Sequence, residues 1–325
     1  MLKSVPWRSK GTVRWKNLGL TLIALILCVA LTAHQPIHAM GARATHPVTE
    51  VTIAGRRVAL WDPAGSAPPA GFPLILFSHG FTGCDTQSIL LVEALARAGY
   101  LVLAPNHHDA GCGSLGETAE WYPGKLFEKL HITPSEKPFT KPDAWSDTTY
   151  KDRAADLEAI LNTVLAAGTF EGVPIDSNRI GVAGHSLGGY TALGLAGAWP
   201  SWKDPRIKAV LGLSPYCAPF LKKGNLGHVD VPIMYQGGTL DVTITPTVRR
   251  AGGAYDLTST PKYYVEFGGA GHFAWTNLND KYQPLIGEYA VAFFDSYLKG
   301  TTGALDSLVA NPRPKGVSSF KSAVK

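Results

Sequence analysis

The pattern of apolar and polar positions predicts strands and helices that alternate along most of the chain. Two continuous apolar runs, "PLILFSHG" at 73–80 and "YLVLAP" at 100–105, are typical of strands buried on both faces of a parallel sheet. Between them, residues 85–100 carry apolar side chains three and four positions apart, which indicates an amphipathic helix. The alternation predicts an α/β fold with a mostly parallel sheet and helices on both faces.

The second half of the chain continues this pattern without an internal repeat or a second domain boundary. Further apolar runs that predict buried strands are "RIGVA" (179–183), "RIKAVLGLSP" (206–215), "VPIMYQGG" (231–238) and "KYYVEF" (262–267). We therefore expect one domain over residues 40–300. Residues 301–325 are polar and carry lysines, and we expect them to form a flexible tail.

Residues 106–150 interrupt the alternation. This segment is rich in Gly, Pro, Trp and Tyr, and about 45 residues are many for one connection inside a compact domain. Connections of this length usually serve a function, so we expect a long loop that covers part of the site.

The candidate chemistry begins at residues 184–188, "GHSLG", a G-x-S-x-G motif between a predicted strand and a predicted helix. In a nucleophile elbow the serine lies on a strained turn, and the flanking glycines are needed because a β-carbon would clash there. The motif predicts Ser186 as a nucleophile. It also predicts an oxyanion hole formed by the amide of Leu187 and by that of Phe81, in the loop after residues 73–80.

A serine hydroxyl needs a base, and His272 is the best candidate. It lies in "FGGAGHFAW", just after the last buried strand, where catalytic groups of open α/β sheets gather. His107 and His108 also follow a strand, but they precede the serine, against the order serine, acid, histidine. A metal site on "HHD" at 107–109 remains an alternative, although no further clustered ligands support it and we expect no metal.

The acid that orients the histidine should follow the strand at 231–238. Asp241 lies there, in a turn after two glycines, and would hold the histidine tautomer and stabilise the imidazolium. An N-cap or turn aspartate is its alternative role. Asp230 precedes the same strand and would lie at the opposite edge of the sheet, and Asp256 falls in the following helix.

The N-terminal segment has the pattern of a secretory signal peptide over residues 1–39. Five basic residues precede the apolar run "LGLTLIALILCVALTA" at 18–33, and "IHA" at 37–39 offers a small-residue cleavage site. An uncleaved membrane anchor is the alternative; after cleavage we expect no stable membrane span. The remaining chain has 25 basic and 25 acidic residues, so the net charge of +5 is no evidence for nucleic-acid binding.

Four pieces of sequence together carry a family resemblance: "LFSHGFTG", "GHSLGG", "GGTLDVTITP" and "GGAGHF". The chain resembles α/β-hydrolases of the dienelactone-hydrolase-like and platelet-activating-factor-acetylhydrolase-like groups, and it is similar to bacterial cutinase-like polyester hydrolases. The resemblance spans most of residues 73–275. It implies a serine esterase or lipase with the α/β-hydrolase fold and no cofactor.

The resemblance also suggests substrate-binding residues. Phe81 and Tyr216 occupy places where aromatic side chains of the cutinase-like enzymes flank the acyl group, although Tyr216 could equally be a core tyrosine. We also expect His185, beside the nucleophile, to contact substrate. Two features depart from the relatives: dienelactone hydrolases have cysteine in place of Ser186, and the cutinase-like enzymes lack a loop like 106–150. Such a loop would favour a small or lipid ester over a polymer.

These observations lead to the hypothesis of an exported, secreted or periplasmic, hydrolase of carboxylic esters. A peptidase or amidase on the same fold and a non-catalytic binding protein on a hydrolase scaffold are the alternatives. A complete set of serine, histidine and aspartate speaks against the second alternative, because a binding protein has no need for the three together.

The cysteines supply a first testable prediction, a disulfide between Cys84 and Cys112. In the α/β-hydrolase fold implied by the resemblance, the loops that carry them leave neighbouring strands at the same edge, and an exported chain meets oxidising conditions. The bridge would contribute about 3 kcal/mol in the chain-entropy description. Non-reducing peptide mapping of the exported protein should recover the Cys84–Cys112 pair. A bridged Cys217, or three free thiols, would contradict the pairing.

Overall fold

A computed structural model of the protein describes residues 48–111, 134–223 and 225–324. The expected signal peptide and Cys112 lie outside the described residues. Cys84 is disulfide-bonded, whereas Cys217 is a buried free thiol. No other cysteine lies within the described ranges, so the pairing of Cys84 with Cys112 stays a prediction.

The described residues form ten strands, of which six central ones run parallel. The strands are β1 (Val48–Ile53), β2 (Arg56–Trp61), β3 (Phe72–Ser78), β4 (Leu101–Pro105), β5 (Thr169–Phe170), β6 (Val173–His185), β7 (Ile207–Leu213), β8 (Ile233–Gly238), β9 (Lys262–Phe267) and β10 (Val317–Ala323). Their order in the sheet is β1-β2-β4-β3-β6-β7-β8-β9-β10, and β5 pairs with the start of β6. The predicted α/β architecture is confirmed.

Helices cover both faces of this sheet. They are α1 (Ile89–Arg97), α2 (Lys151–Ala167), α3 (Leu187–Leu193), α4 (Ala218–Lys223), α5 (Thr245–Arg249), α6 (Ala254–Leu257), α7 (Gln283–Leu298) and α8 (Asp306–Ala310). α1 and α7 contribute to the core on one face, and α2 and α3 contribute to the core on the other. No helix of the described ranges has both the length and the apolar character needed to cross a bilayer.

The central strands read as continuous apolar runs because both of their faces are buried. Along β3, Leu74 and Leu76 belong to the core beneath α2 and α3, whereas Ile75 and Phe77 belong to the core beneath α1 and α7. None of these four side chains is more than 1% exposed. Successive residues of a strand point to opposite faces, so a strand covered on both sides needs an apolar residue at every position.

The parallel strands all end at the same edge of the sheet. The loops after β3, β6, β7, β8 and β9 therefore lie side by side there, although they are far apart in sequence. These loops carry Phe81, Ser186, Ser214, Asp241 and His272. The topology thus gathers four predicted site residues, and Ser214 with them, at one place before any side-chain contact is considered.

The expected flexible tail at 301–325 and the domain end at 300 are wrong. α8 and β10 belong to the compact unit of residues 46–325, and β10 pairs antiparallel with β9, with Phe320 opposite Val265. The segment is polar because β10 is an edge strand, which is held by backbone hydrogen bonds and needs few apolar side chains. Leu305, Leu308 and Val317 supply the buried contacts.

This arrangement predicts a stability difference between two adjacent residues of α8. Leu308 is 4% exposed and Val309 is 45% exposed. Leu308→Ala should lower the free energy of unfolding by about 2 kcal/mol because it leaves a cavity, whereas Val309→Ala should change it by less than about 0.5 kcal/mol. Urea titrations of the two variants provide the measurement. Equal, negligible losses would show that this segment is a loose tail in solution.

Candidate active site

Ser186 lies in a sharp turn between β6 and α3. Its backbone angles, φ 54° and ψ −114°, are unfavourable for a residue with a side chain. The turn also requires the motif's glycines. A β-carbon on Gly184 would lie 2.2 Å from the carbonyl oxygen of Gly188, and one on Gly188 would lie 1.9 Å from that of Ser78. The elbow geometry therefore agrees with the sequence motif.

The structure brings Ser186, His272 and Asp241 together in one hydrogen-bonded chain. His272 Nε2 lies 3.0 Å from the Ser186 hydroxyl, and His272 Nδ1 lies 3.2 Å from Asp241 Oδ2. The Asp241 side chain is fully buried, whereas a quarter of the His272 side chain is exposed. Asp241 therefore faces the inner side of the imidazole, and the serine side is open to a substrate.

Asp241 is surrounded by hydrogen-bond donors. Besides His272, it accepts hydrogen bonds from the Thr245 hydroxyl at 3.2 Å and from the Ile244 amide at 3.4 Å. Burial by itself raises the pKa of Asp241, but the hydrogen bond and charge of His272 and the Ser214 hydroxyl outweigh it, and the pKa lies below its ordinary value. The carboxylate is therefore ionised at neutral pH and can orient the imidazole.

Ser214 is a member of this group that the sequence analysis missed. Its hydroxyl donates a hydrogen bond to Asp241 Oδ2 and lies 3.1 Å from His272 Nδ1. Its own amide donates to the carbonyl of Gln236 at 2.7 Å, which fixes the end of β7 against β8. The signal was its position, because a polar residue at the carboxyl end of a buried parallel strand lies at the edge where the site forms.

The two expected oxyanion donors both lie near Ser186. The Leu187 amide belongs to the first residue of α3, and amides of a first helical turn have no acceptor within the helix. The loop that carries Phe81 passes beside the serine, since a β-carbon on Gly80 would lie 3.5 Å from the Ser186 β-carbon. Both amides are thus near the nucleophile, and their role as donors stays a proposal.

A buried ion pair fixes the loop that carries Phe81. Arg153 is fully buried and donates hydrogen bonds to the carbonyls of His79, at 2.7 Å, and Gly80, at 3.2 Å. Two more of its hydrogen bonds, 3.0 and 2.9 Å long, go to the carboxylate of Asp109, which in turn accepts one from the Thr82 amide. The backbone is thus held immediately before and after Phe81.

His107, the first histidine after β4, belongs to this support and lies apart from Ser186 and His272. His107 is buried between Asp156 and Ser78, at 2.9 Å from each, and burial together with the Arg153 charge keeps its pKa well below the usual value. The "HHD" ligand set does not form, because His108 pairs with Asp152 and Asp109 pairs with Arg153.

One surface cluster has side chains that could hold a metal ion. His108, Glu136 and Asp152 offer ligand atoms that all lie within 4.8 Å of one another. Glu136 also accepts a hydrogen bond from the Tyr150 amide at 2.7 Å, and His108 Nδ1 contacts the Asp152 carboxylate. These contacts within the protein explain why the three side chains lie close together.

His185, which the sequence analysis expected at the substrate, is buried between neighbouring loops. Its side chain is buried, its Nε2 donates to the His272 carbonyl at 2.8 Å, and its Nδ1 accepts from the Gln87 amide at 3.1 Å. Burial and the nearby His272 lower the pKa of His185 to about 3. His185 is therefore neutral and ties the elbow to the loop of His272.

The two aromatic residues expected beside the acyl group are covered by a residue of the long segment. Tyr216 is only 4% exposed, and its hydroxyl donates to the Phe139 carbonyl at 2.7 Å. Phe81 is half-buried and packs against the same Phe139. Phe139 thus contacts both aromatic residues and covers Tyr216 with its ring and its carbonyl.

Comparison with known proteins finds similarity to families and relatives that are named as ester hydrolases. The sequence profile of the PET hydrolase-like family matches residues 140–323, more than half of the chain, and that of platelet-activating factor acetylhydrolase, isoform II, matches residues 38–117. Cutinase 1 of Thermobifida cellulosilytica is 36% identical over 165 residues, which are 50% of this chain and 57% of the relative.

Two further relatives have related names. Cutinase est1 of Thermobifida alba is 28% identical over 242 residues, which are 74% of this chain and 65% of the relative. Bis(hydroxyethyl) terephthalate hydrolase of Streptomyces coelicolor is 30% identical over 164 residues, or 50% and 48% of the two chains. The chain thus spans about half to two thirds of the length of the curated relatives it matches.

The Arg153–Asp109 pair yields a prediction about the stability of the site. Arg153→Met should lower the free energy of unfolding by about 3–5 kcal/mol, because it leaves the Asp109 carboxylate buried without its partner. The double variant with Asp109→Asn should recover part of this loss, since no buried charge remains. Urea unfolding of the three proteins measures both effects. A double variant as unstable as Arg153→Met would mean that lost packing, not the stranded charge, dominates.

Proposed function

Because this chain belongs to the PET hydrolase-like family and has the α/β-hydrolase fold, we propose that it hydrolyses carboxylic esters, with Ser186 as nucleophile, His272 as general base and Asp241 as orienting acid. The observation that carries the proposal is the continuous chain from the Ser186 hydroxyl through both nitrogens of His272 to Asp241. Such a chain at a strained elbow is the arrangement that activates a serine.

In the first half of the reaction, Ser186 Oγ attacks the ester carbonyl carbon while its proton moves to His272 Nε2. The carbonyl oxygen becomes an oxyanion, which the Leu187 and Phe81 amides stabilise. When the tetrahedral intermediate collapses, the bond to the alcohol oxygen breaks and His272 gives its proton to the leaving alcohol. The acyl group is then bound to Ser186 as an ester.

In the second half, water replaces the alcohol. His272 takes a proton from the water as the hydroxide attacks the acyl carbon, and the proton returns to Ser186 Oγ when the carboxylic acid leaves. Asp241 stays ionised throughout, because its lowered pKa keeps the proton on the imidazole. Its charge stabilises the imidazolium that forms in both steps.

The family supports an ester as the substrate. The names of the relatives, cutinases and a bis(hydroxyethyl) terephthalate hydrolase, describe enzymes that cleave ester bonds. Phe81, Tyr216 and Phe139 are aromatic and uncharged, and such side chains suit a neutral acyl group. We propose a small ester, or a lipid ester whose reacting acyl group is short, as the substrate class of this chain.

The N-terminal segment and the disulfide-bonded Cys84 support export of the enzyme from the cytoplasm. The basic segment and apolar run of residues 1–39 have the pattern of a signal peptide, and Cys84 is disulfide-bonded, as extracytoplasmic conditions allow. We propose that the mature enzyme acts outside the cytoplasm.

The triad is tested with three variants and p-nitrophenyl acetate. Ser186→Ala should abolish turnover, and Asp241→Asn should reduce kcat by about 10⁴-fold because the imidazole loses its orienting acceptor. The matched control is Asp256→Asn, since Asp256 is exposed and its carboxylate accepts a hydrogen bond from the Gly252 amide, away from the site. Its rate should equal that of the wild type. Retained turnover in Ser186→Ala, or equal losses in the two aspartate variants, would refute the assignment.

A further inference from the structure

Phe139 lies between the two aromatic side chains beside the nucleophile. Its ring centroid is 5.4 Å from that of Phe81 and 5.0 Å from that of Tyr216. These distances correspond to direct contact between aromatic rings. Phe139 belongs to the segment at 134–150 and is the residue of that segment that contacts both rings.

The backbone segments that carry these two rings contact Ser186 directly. The Tyr216 amide donates a hydrogen bond to the Ser186 carbonyl at 2.9 Å, and Gly80, the neighbour of Phe81, lies against the Ser186 side chain. An acyl chain bound at Ser186 Oγ would therefore lie near Phe81 and Tyr216. The Phe139 side chain takes up room in the same region.

We propose that Phe139 restricts the acyl group of the substrate to short, unbranched chains, because its ring fills the space between Phe81 and Tyr216 that a longer or aromatic acyl group would occupy. The proposal rests on the ester-hydrolase function proposed above and adds the specificity of that site. Esters with an acyl group of about two to four carbons should react well, whereas benzoyl and long-chain acyl esters should react poorly.

Hydrogen bonds and ring packing hold Phe139 in this position, so its ring limits the size of the acyl group in the folded protein without any further movement. Its carbonyl accepts the Tyr216 hydroxyl, and the preceding carbonyl, of Pro138, accepts the indole N–H of Trp145 at 3.1 Å. The Trp145 ring is fully buried and lies 5.2 Å from that of Phe139. A bulky acyl group could enter only if these contacts broke.

The rest of the segment is fastened to the protein as well. The Tyr190 hydroxyl of α3 donates to the Thr149 carbonyl at 3.0 Å, and the Trp202 indole donates to the Asp147 carbonyl at 2.7 Å. Both donors belong to the protein around the elbow helix and not to the segment itself. Phe139 therefore acts as a fixed wall, and a change at this one side chain should alter specificity without moving the backbone.

The experiment compares kcat/KM for p-nitrophenyl acetate and p-nitrophenyl benzoate. In Phe139→Ala the benzoate-to-acetate ratio should rise by about tenfold or more, as expected when a blocking group is removed from a binding site. Phe320→Ala is the matched control, because Phe320 is a partly buried phenylalanine on β10 that packs against Tyr263 and Tyr289. Its ratio should equal that of the wild type.

Phe139→Val keeps the test informative if the alanine variant does not fold. It removes part of the ring volume and should raise the ratio in the same direction by a smaller factor. An unchanged ratio in a folded Phe139 variant that still cleaves the acetate ester would overturn the proposal, as would a wild type that prefers benzoate. A wild type that cleaves neither ester would instead refute the ester-hydrolase function itself.

Discussion

The close approach of α3 to the end of β3 is the constraint on which the site depends. Gly188 makes it possible, since a β-carbon there would lie 1.9 Å from the Ser78 carbonyl oxygen, well inside contact distance. Because the helix reaches the strand end, Ser186 is presented at the carboxyl edge of the sheet, and the loop after β3 runs beside it. A larger residue would push the helix away and separate Ser186 from the loop that carries Phe81.

Buried polar contacts then tie the loops of different strands to one another. Gln87 accepts a hydrogen bond from the Gly80 amide and donates one to His185, and His185 donates to the His272 carbonyl. The loop that carries Phe81, the elbow and the loop that carries His272 therefore form one hydrogen-bonded series. Such groups are costly to bury unless they are satisfied, and once satisfied they permit only one arrangement. These bonds hold the loops that carry Ser186 and His272 against each other.

The sequence was sufficient for the parts of the fold that follow from local pattern and chain order. The apolar runs predicted the buried strands, and the glycines of the elbow have the close contacts that the motif implied. It was insufficient where a residue's environment comes from distant segments. His185 was expected at the substrate but is enclosed by Gln87 and His272, and β10 was missed because backbone pairing with β9 leaves little trace in side chains.

The long segment after β4 shows how specificity can be built into the core. Trp145 and Tyr150 are fully buried in the same core as Tyr190 of α3, so the segment stabilises the helix behind the nucleophile at the same time as it carries Phe139 to the cleft. Deleting the segment to widen the site would expose this aromatic cluster and cost several kcal/mol of burial energy. The core beneath the segment fixes its backbone. A substitution that changes the acyl preference with little loss of stability is therefore restricted to side chains at the rim of the cleft.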